Sequence, residues 1–323
     1  MDEMPELKSR GHAVGKALRG VRSLLPSTLG PGRILRGMDR LEHATVLDPL
    51  ARLVSGRVRA LPLGSLRDVL HGHWLGHPAH PVLVEVPIGT WLSAAVLDCL
   101  PGQHRAASAL IGVGIGAAAP AALTGWVDWA EQGPRQKRVG LVHAVVNGTA
   151  VVLYSGSLVA RIRGRSGLGK SLGFAGLSLV GLGSALGGHL AYRQASGANH
   201  AESVPSLVRA GWHDIGAVTD FEAGRPFRRH VDEVPVVVVR EADDVHVLAD
   251  ACSHRGGPLS GGTVRDGCVR CPWHDSVFRL ADGWNVHGPA TAPQPAFDAR
   301  VVGARVEVRL RDPEPGLSAE VPE

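Results

Sequence analysis

Two short boxes in the C-terminal third, Cys252-Ser-His254 and Cys271-Pro-Trp-His274, are the most informative stretches of this sequence. Sixteen residues separate them, and each box offers one thiol and one imidazole from a short loop. Two sulfur and two nitrogen ligands suit either a tetrahedral zinc ion or a [2Fe–2S] cluster with both Cys on one iron and both His on the other. The sequence therefore predicts a metal centre formed by Cys252, His254, Cys271 and His274.

The residues around the boxes favour the cluster over zinc. Glycine lets backbone amides approach bridging sulfides closely, which a compact zinc site does not need. A further cysteine, Cys268, precedes the second box, but on a strand its side chain points away from those of Val269 and Cys271, so we interpret it as a packing residue. The glycines concerned are Gly256, Gly257, Gly261, Gly262 and Gly283.

The segments that flank the boxes predict a small all-β domain. Short Val-rich stretches with strand-like alternation are broken by Gly, Pro and Asp turns, and they occupy 234–239, 245–248, 264, 268–270 and 305–310. Before them, 193–206 is a polar run rich in Ser, Gly, Ala and Asn, which predicts a flexible linker with a reach of roughly 20 Å. We therefore predict a linker at 193–206, the β domain at 207–312 and a tail at 313–323.

Four long stretches poor in charge precede the linker. The first, 82–100, contains Glu85 and Asp98, whereas 106–127, 139–160 and 171–192 are each 22 residues long without Asp, Glu, Lys or Arg. About 20 apolar residues span the hydrocarbon core of a bilayer. Buried helices of a soluble bundle are the alternative, but short charged loops after each uncharged stretch favour spanning. The sequence predicts an all-α four-helix transmembrane bundle at 71–192.

Charge and location distinguish the two ends of the chain. Residues 1–81 have 12 basic and 7 acidic groups, whereas 201–323 have 13 and 19. We expect 1–70 to be a basic segment at the membrane surface, because 48–54 and 66–70 mix basic and apolar residues at helical spacing; solvated helix is the alternative. No basic stripe interleaved with aromatic residues indicates a nucleic-acid partner. Without a signal-peptide pattern, we expect a multi-pass protein of the cell membrane with both termini cytoplasmic.

The two boxes, followed by Phe278 and by Gly288-Pro-Ala-Thr-Ala-Pro, resemble the Rieske family, and in particular its ferredoxin-type members that serve oxygenases and nitrite reductases. The resemblance covers about 208–310. It implies a [2Fe–2S] cluster in which Cys252 and Cys271 hold the inner iron, and His254 and His274 hold the outer, partly exposed iron.

Two features bear on the reduction potential that the resemblance implies. Quinol-oxidising Rieske subunits have an extra Cys in each box, forming a disulfide, where this sequence has Gly257 and Trp273. This difference favours the low-potential, ferredoxin-like members. The residue after His274 is usually Gly in the family but is Asp275 here, and we expect its negative charge to lower the potential further.

The membrane part carries a second resemblance. Gly76-His77-Pro-Ala-His80-Pro, Pro87-Ile-Gly-Thr-Trp91 and Asp98 resemble an uncharacterised family of predicted four-helix bacterial membrane proteins, over about 66–192. That family implies no established activity. Polar residues at helix ends on one membrane face form a predicted cluster that faces the β domain: His77, His80, Glu85, Asp128, His143, Asn147 and His189.

Histidines in this cluster support two hypotheses. Ionisable groups within spans often mark redox or proton sites, so His77, His80, His143 and His189 are candidates for a haem b or quinone site. The alternative is that they form hydrogen bonds between helices and fix the bundle. A metal site at His71, His73 and His77 is a further hypothesis, although histidines near lipid headgroups are usually only interfacial.

The predicted cluster transfers single electrons, and no glycine-rich nucleotide or phosphate loop is present in the sequence. We therefore expect a membrane-anchored Rieske-type electron carrier, an electron-transfer component of an oxidoreductase system. Its acidic domain would dock a reductase, an oxygenase or another redox protein. The alternative is a membrane redox enzyme in which the helical bundle binds quinone or haem b and relays electrons through the cluster.

Overall fold

The computed structural model describes residues 32–242 and 244–311, so 1–31 of the predicted interfacial segment and the predicted tail at 313–323 lie outside the described residues. Helices precede strands along the described chain, as predicted. The helices are α1 (Arg33–Glu42), α2 (Asp48–Arg59), α3 (Leu66–His71), α4 (His80–Asp98), α5 (His104–Ala130), α6 (Pro134–Ile162), α7 (Ser166–Gly188) and α8 (Val204–Leu207).

Four helices, α4 to α7, are long and apolar enough to cross a membrane, with α7 continued by a π-helical turn at His189–Arg193. The four charge-poor stretches of the sequence fall on these four helices, which confirms the predicted order of the bundle. Helices α2 and α3 coincide with the two basic and apolar stretches at 48–54 and 66–70. Their placement at a membrane surface stays a prediction.

Residue contacts divide the described chain into two units. The first contains the described residues up to Ala60 together with Val86–Ala118 and Gln132–Ser196. The second contains Leu61–Glu85, Ala119–Glu131 and the described residues from Gly197 onward. The second unit therefore contains the β domain and two segments of the helical region, Leu61–Glu85 and Ala119–Glu131. The predicted domain boundaries do not assign these segments to the β domain.

The first unit is a helical bundle with a small aromatic core. Trp91 of α4 stacks on Tyr154 of α6 with ring centroids 4.2 Å apart, and both side chains are buried. Gly176 of α7 packs against the same tyrosine, since a Cβ there would lie 2.9 Å from its ring. Small residues of this kind let helix backbones approach closely where no water is available to drive association.

A buried ion pair ties together three helices of the first unit. Arg161 of α6 donates to both carboxylate oxygens of Asp98 at the end of α4, one of them at 2.8 Å. Lys170 of α7 donates to the backbone oxygen of Asp98 at 2.5 Å. The carboxylate of Asp98, which interrupts the first predicted span, is therefore paired with Arg161, and Lys170 binds the backbone of the same residue.

The β domain contains ten strands in two antiparallel sheets. Six strands follow the order β1-β10-β9-β4-β3-β2, and four follow the order β5-β6-β7-β8. The strands are β1 (His213–Ala217), β2 (Pro226–Val231), β3 (Val234–Glu241), β4 (Asp244–Ala249), β5 (Thr263–Arg265), β6 (Cys268–Arg270), β7 (Val277–Arg279), β8 (Asn285–His287), β9 (Ala296–Val302) and β10 (Arg305–Leu310).

Strand β3 is buried on both faces, which explains its uninterrupted run of valines. Val236 and Val238 enter one hydrophobic core with Phe221 and Phe297. Val237 and Val239 enter a second core, which also contains Val269 and Phe278 of the four-stranded sheet and the two cysteines of the metal boxes. The side chains of that sheet and the loops that bear the boxes are therefore held against the centre of the larger sheet.

The linker predicted at 193–206 requires a correction. Ala201 and Val204, the latter in α8, are buried in the first core of the β domain, and the His200 N–H donates to the Ser253 backbone oxygen at 2.9 Å. The last residues of the polar run are therefore part of the folded β domain. Two apolar side chains within a polar stretch suffice for this attachment because the Val-rich sheet supplies the surface that covers them.

Candidate metal centre

Both predicted boxes lie on tight loops at one end of the four-stranded sheet. The first loop joins β4 to β5 and is closed by the Cys252 N–H donating to the Gly257 oxygen at 2.9 Å and the Gly256 N–H donating to the Cys252 oxygen at 2.7 Å. The second joins β6 to β7, and the Cys271 N–H donates to the Ser276 oxygen at 2.8 Å. These backbone hydrogen bonds fix each Cys at the base of its loop.

The four predicted side chains come together. The thiols of Cys252 and Cys271 are buried, in contact with each other, and free of disulfides. The rings of His254 and His274 are half-buried, with centroids 5.0 Å apart and planes at 89°. The two thiols are thus more deeply buried than the two imidazoles, and the assignment of all four as ligands stays a prediction.

The local electrostatics suit metal ligation. Burial, followed by the neighbouring charge of His274, lowers the pKa of His254 to about 2, so this imidazole stays neutral, as a ligand must. The contact with the Cys252 thiol lowers the pKa of Cys271, and the backbone N–H groups of Trp273 and His274 act in the same direction. The partner thiol, Cys252, has its pKa raised by the contact with Cys271 and by burial.

The donor set fits a two-iron cluster better than one metal ion. Within the described ranges 32–242 and 244–311, no three His, Cys, Asp or Glu side chains converge on a point where a single ion could be held. A [2Fe–2S] cluster needs only two protein ligands on each iron. Gly257 supports this fit, because a Cβ there would lie 3.1 Å from the Cys271 sulfur and 2.9 Å from the Trp273 ring.

Asp275 occupies a backbone conformation that favours glycine. Its φ of +60° lies in the left-handed region, which Asp tolerates better than most residues. The side chain is exposed, and its Oδ1 lies 3.5 Å from Nη1 of Arg270, also exposed. The negative charge predicted beside the outer histidine is therefore partly balanced, so we expect a smaller effect on the potential than an unpaired carboxylate would give.

Gln294 connects the box-bearing loops to the sheet, and the sequence analysis did not single it out. Its side chain is buried; Oε1 accepts from the Ser253 N–H at 2.9 Å, and Nε2 donates to the backbone oxygens of Ala249 and Ala251 at 2.7 and 2.6 Å. Buried Asp250 similarly accepts from the Ser260 N–H at 2.6 Å. The only sequence signal for Gln294 is a polar residue between two prolines.

Helical residues of the second unit also contact the edge of the metal centre. Asp68 of α3 accepts from the Gly288 N–H at 3.1 Å, and its other oxygen lies 2.6 Å from Nδ1 of His287. His73 Nε2 lies 2.5 Å from the Gly288 backbone oxygen. A Cβ at Gly288 would contact Ser276 and Asp275, so these contacts reach the loop that follows His274.

Comparison with known proteins identifies both parts of the chain. Residues 211–298 match the model of the Rieske [2Fe-2S] domain, and 76–200 match that of a predicted membrane protein family, DUF2231. The anthranilate 1,2-dioxygenase ferredoxin subunit of Burkholderia cepacia is 36% identical over 101 residues, which is 31% of this chain and 94% of that protein. The chain belongs to the Rieske family.

Further relatives show the extent of the match. Ferredoxin CarAc of Metapseudomonas resinovorans is 30% identical over 98 residues, 30% of this chain and 92% of that protein. Among solved structures, the ferredoxin of carbazole 1,9a-dioxygenase from Nocardioides aromaticivorans IC177 is 26% identical, covering 32% of this chain and all of that chain with a TM-score of 0.31. The two family matches confirm the predicted fusion of a Rieske domain to a membrane-protein family, and the Rieske match also confirms the predicted [2Fe–2S] cofactor.

Two predictions about neighbours of the Rieske boxes can be compared with the geometry. Gly257 and Trp273, where quinol-oxidising subunits have an additional Cys pair, face each other across the two loops. Cys268 lies on β6 and is half-buried; burial raises the pKa of its thiol. It pairs in register with Arg265 and Arg279, and its non-ligand role stays a prediction.

The candidate histidines of the helical part make hydrogen bonds within their own units. His143 Nδ1 lies 2.9 Å from the Gly183 oxygen and His189 Nε2 lies 2.7 Å from Glu42 Oε1, both within the first unit. In the second unit, His80 Nδ1 lies 2.8 Å from the Ala121 oxygen, and His77 is exposed. These are contacts of the kind that the hydrogen-bonding alternative predicts, and a haem b or quinone site at these histidines stays a prediction.

Proposed function

We propose that Cys252, Cys271, His254 and His274 hold the [2Fe–2S] cluster and that the protein is a membrane-anchored carrier of single electrons. The observation that carries the proposal is the convergence of these four side chains on tight loops of a Rieske domain. When bound, the cluster accepts and releases one electron, and the protein holds its thiolate and imidazole ligands in place.

The partner is proposed to be a redox protein, either a reductase or an oxygenase component. Support comes from the similarity to the ferredoxin subunit of anthranilate 1,2-dioxygenase, since the aligned part of this chain covers 94% of that protein. Residues 201–323 carry an excess of acidic groups, which favours a basic docking surface on the partner. A membrane anchor would increase the encounter rate with a partner held at the same surface.

We propose that α4 to α7 provide this anchor as four spans in the cell membrane, with the Rieske domain on the cytoplasmic side. Their length and apolar composition support spanning, as does the match to a predicted membrane protein family. Protease accessibility in right-side-out and inside-out vesicles tests the orientation. Cleavage of the Rieske domain only in inside-out vesicles is expected, whereas cleavage only in right-side-out vesicles would reverse the assignment.

The decisive experiment uses full-length protein purified in detergent. We expect a Rieske electron paramagnetic resonance (EPR) signal after reduction with dithionite, and a broad bleach without sharp haem bands in the reduced-minus-oxidised visible spectrum. An NADH-dependent ferredoxin reductase should then reduce the cluster in one-electron steps. Absence of the Rieske signal in iron-loaded protein would overturn the proposal.

Reduction by decylubiquinol distinguishes the carrier from the quinone enzyme. A carrier should be reduced slowly and without saturation by this quinol. Fast, saturable reduction that a quinone analogue inhibits, or sharp haem bands, would favour the membrane redox enzyme and reject the pure carrier.

A further inference from the structure

Beside the metal centre, one buried histidine has no place in the proposed carrier mechanism. His71 ends α3, and only 1% of its side chain is exposed. Its Nδ1 lies 2.7 Å from Oδ1 of Asp128 in α5, and both residues belong to the second unit. Gly72, with a φ of +90°, follows it in a turn so close to His77 and Ala79 that a Cβ would clash with their backbone. The position of the ring is therefore tightly defined.

The other ring nitrogen of His71, Nε2, is buried and makes no hydrogen bond to any residue of 32–242 or 244–311. An ionised Asp128 carboxylate accepts the hydrogen bond from Nδ1–H of a neutral His71 ring, and in that arrangement Nε2 carries a lone pair. A buried acceptor without a donor is destabilising, so a donor is expected close to this atom.

The segment around His71 lies beside the loops that bear the boxes. Asp68, three residues before His71, contacts His287 and Gly288, and His73 also contacts Gly288. A Cβ at Gly288 would contact Ser276 and Asp275, in the loop that follows His274. The His254 imidazole lies within electrostatic range of His71.

A histidine that binds a metal through one ring nitrogen usually donates its other ring N–H to a carboxylate, a carbonyl or water. We propose that the buried Nε2 of His71 accepts the hydrogen bond from the ring N–H of His254 that does not bind iron, with Asp128 orienting His71. His71 is then a positioning residue for the outer end of the cluster. The inference rests on the proposed function, because it requires His254 as an iron ligand.

The proposed hydrogen bond has a predictable effect on the cluster. An acceptor on the remote ring nitrogen makes the imidazole a more electron-rich ligand, which stabilises the oxidised iron and lowers the midpoint potential. The Asp128 carboxylate increases the basicity of Nε2 and strengthens the effect. The chain's helical sequence would thereby adjust the potential of the Rieske domain to which it is fused.

The test is a redox titration of full-length protein in detergent, followed by EPR. We expect His71→Phe to shift the midpoint potential to a more positive value, and Asp128→Asn to give a smaller shift in the same direction. His230→Phe, an equivalent change at an exposed histidine on β2, should leave the potential at the wild-type value.

Unchanged potentials in His71→Phe and Asp128→Asn, with the Rieske signal intact, would overturn the hydrogen bond. If His71→Phe fails to retain the cluster, Asp128→Asn decides alone, because it keeps His71 and changes only the charge of its partner. A positive shift supports the proposal, and a wild-type value rejects it. Failure of the proposed function is a different result, namely a wild-type protein without the Rieske signal.

Discussion

The Rieske domain and the helical bundle use polar side chains in opposite ways. In the Rieske domain, two thiols and two imidazoles converge on neighbouring loops, while Gln294 and Asp250 fix the backbones of those loops. In the bundle, Asp98 is paired with Arg161, His189 with Glu42, and His143 with the Gly183 oxygen.

This difference teaches how a redox centre can be distinguished from structural polarity in a sequence rich in histidine. Ligand side chains need free lone pairs directed to a common point, so the protein places its hydrogen bonds on the loop backbones. Polar groups within an apolar bundle need hydrogen-bonding partners inside the bundle, because an unpaired polar group in lipid costs several kcal/mol. The contacts in the bundle therefore favour an anchor over a second cofactor site.

The contrast between the two regions requires that the imidazoles of the Rieske domain hold the cluster, and the first prediction tests this requirement. His274→Ala removes one proposed ligand of the outer iron, and we expect complete loss of the Rieske EPR signal in dithionite-reduced protein. Cys268→Ser, at the half-buried cysteine three residues before Cys271, is the matched control and should retain the full signal. A signal that persists in His274→Ala, or disappears in Cys268→Ser, would require a different ligand set.

The second prediction concerns the buried ion pair of the bundle. Arg161→Met leaves the Asp98 carboxylate buried without its partner, and we expect a loss of about 3–5 kcal/mol in the free energy of unfolding. The Asp98→Leu, Arg161→Met double variant should recover most of that loss, because both charges are removed. Unfolding by sodium dodecyl sulfate in mixed micelles, followed by circular dichroism, measures these changes.

A surface pair in the Rieske domain provides the contrast. Glu222 and Arg225 are both largely exposed, so Glu222→Gln should change the free energy of unfolding by less than about 1 kcal/mol. If Arg161→Met were equally mild, the Asp98 pair would not be essential to the bundle. The view that its polar groups are structural would then lose its strongest support.

Local sequence signals predicted most of the fold and the two boxes whose four side chains come together in the structure. The uncharged 22-residue stretches can each be recognised within one segment, and so can the uninterrupted valines of β3. Each metal box is likewise a short continuous stretch of sequence. Short strands with many polar residues, such as β2 with Arg228, Arg229 and His230, gave no such signal. Their pairing depends on the valine strand beside them.

The residues that sequence analysis missed act across long separations. Gln294 bonds to a backbone forty-one residues earlier, and Asp68 to a residue 219 positions later. Nothing in the local pattern distinguishes either side chain from a solvated polar residue, because its role depends on which loop lies opposite. Burial of Ala201 and Val204 was missed for the same reason, since the covering surface comes from distant strands.

The third prediction compares two glycines of α7. A Cβ at Gly183 would clash with the Asn147 side chain, whereas Gly181 has nothing within 4 Å of that position. We expect Gly183→Ala to reduce the free energy of unfolding by about 1–3 kcal/mol through overpacking. Gly181→Ala should be neutral or stabilising, because Ala has the higher helix propensity. Equal effects at the two positions would mean that close packing around Asn147 does not hold α6 against α7.

The smallest expected effect tests the bundle histidines directly. His143→Leu removes the hydrogen bond with the Gly183 oxygen, and we expect a loss of about 1 kcal/mol in the free energy of unfolding. The reduced-minus-oxidised spectrum and the Rieske signal should not change, and His104→Leu, at an exposed position in α5, should alter neither property. A sharp haem band present in the wild-type protein and absent in His143→Leu would identify this side chain as a haem ligand. The difference between the two regions would then lie in the kind of redox centre each contains, because His143 can bind iron through Nε2 while its Nδ1 keeps the hydrogen bond to the Gly183 oxygen.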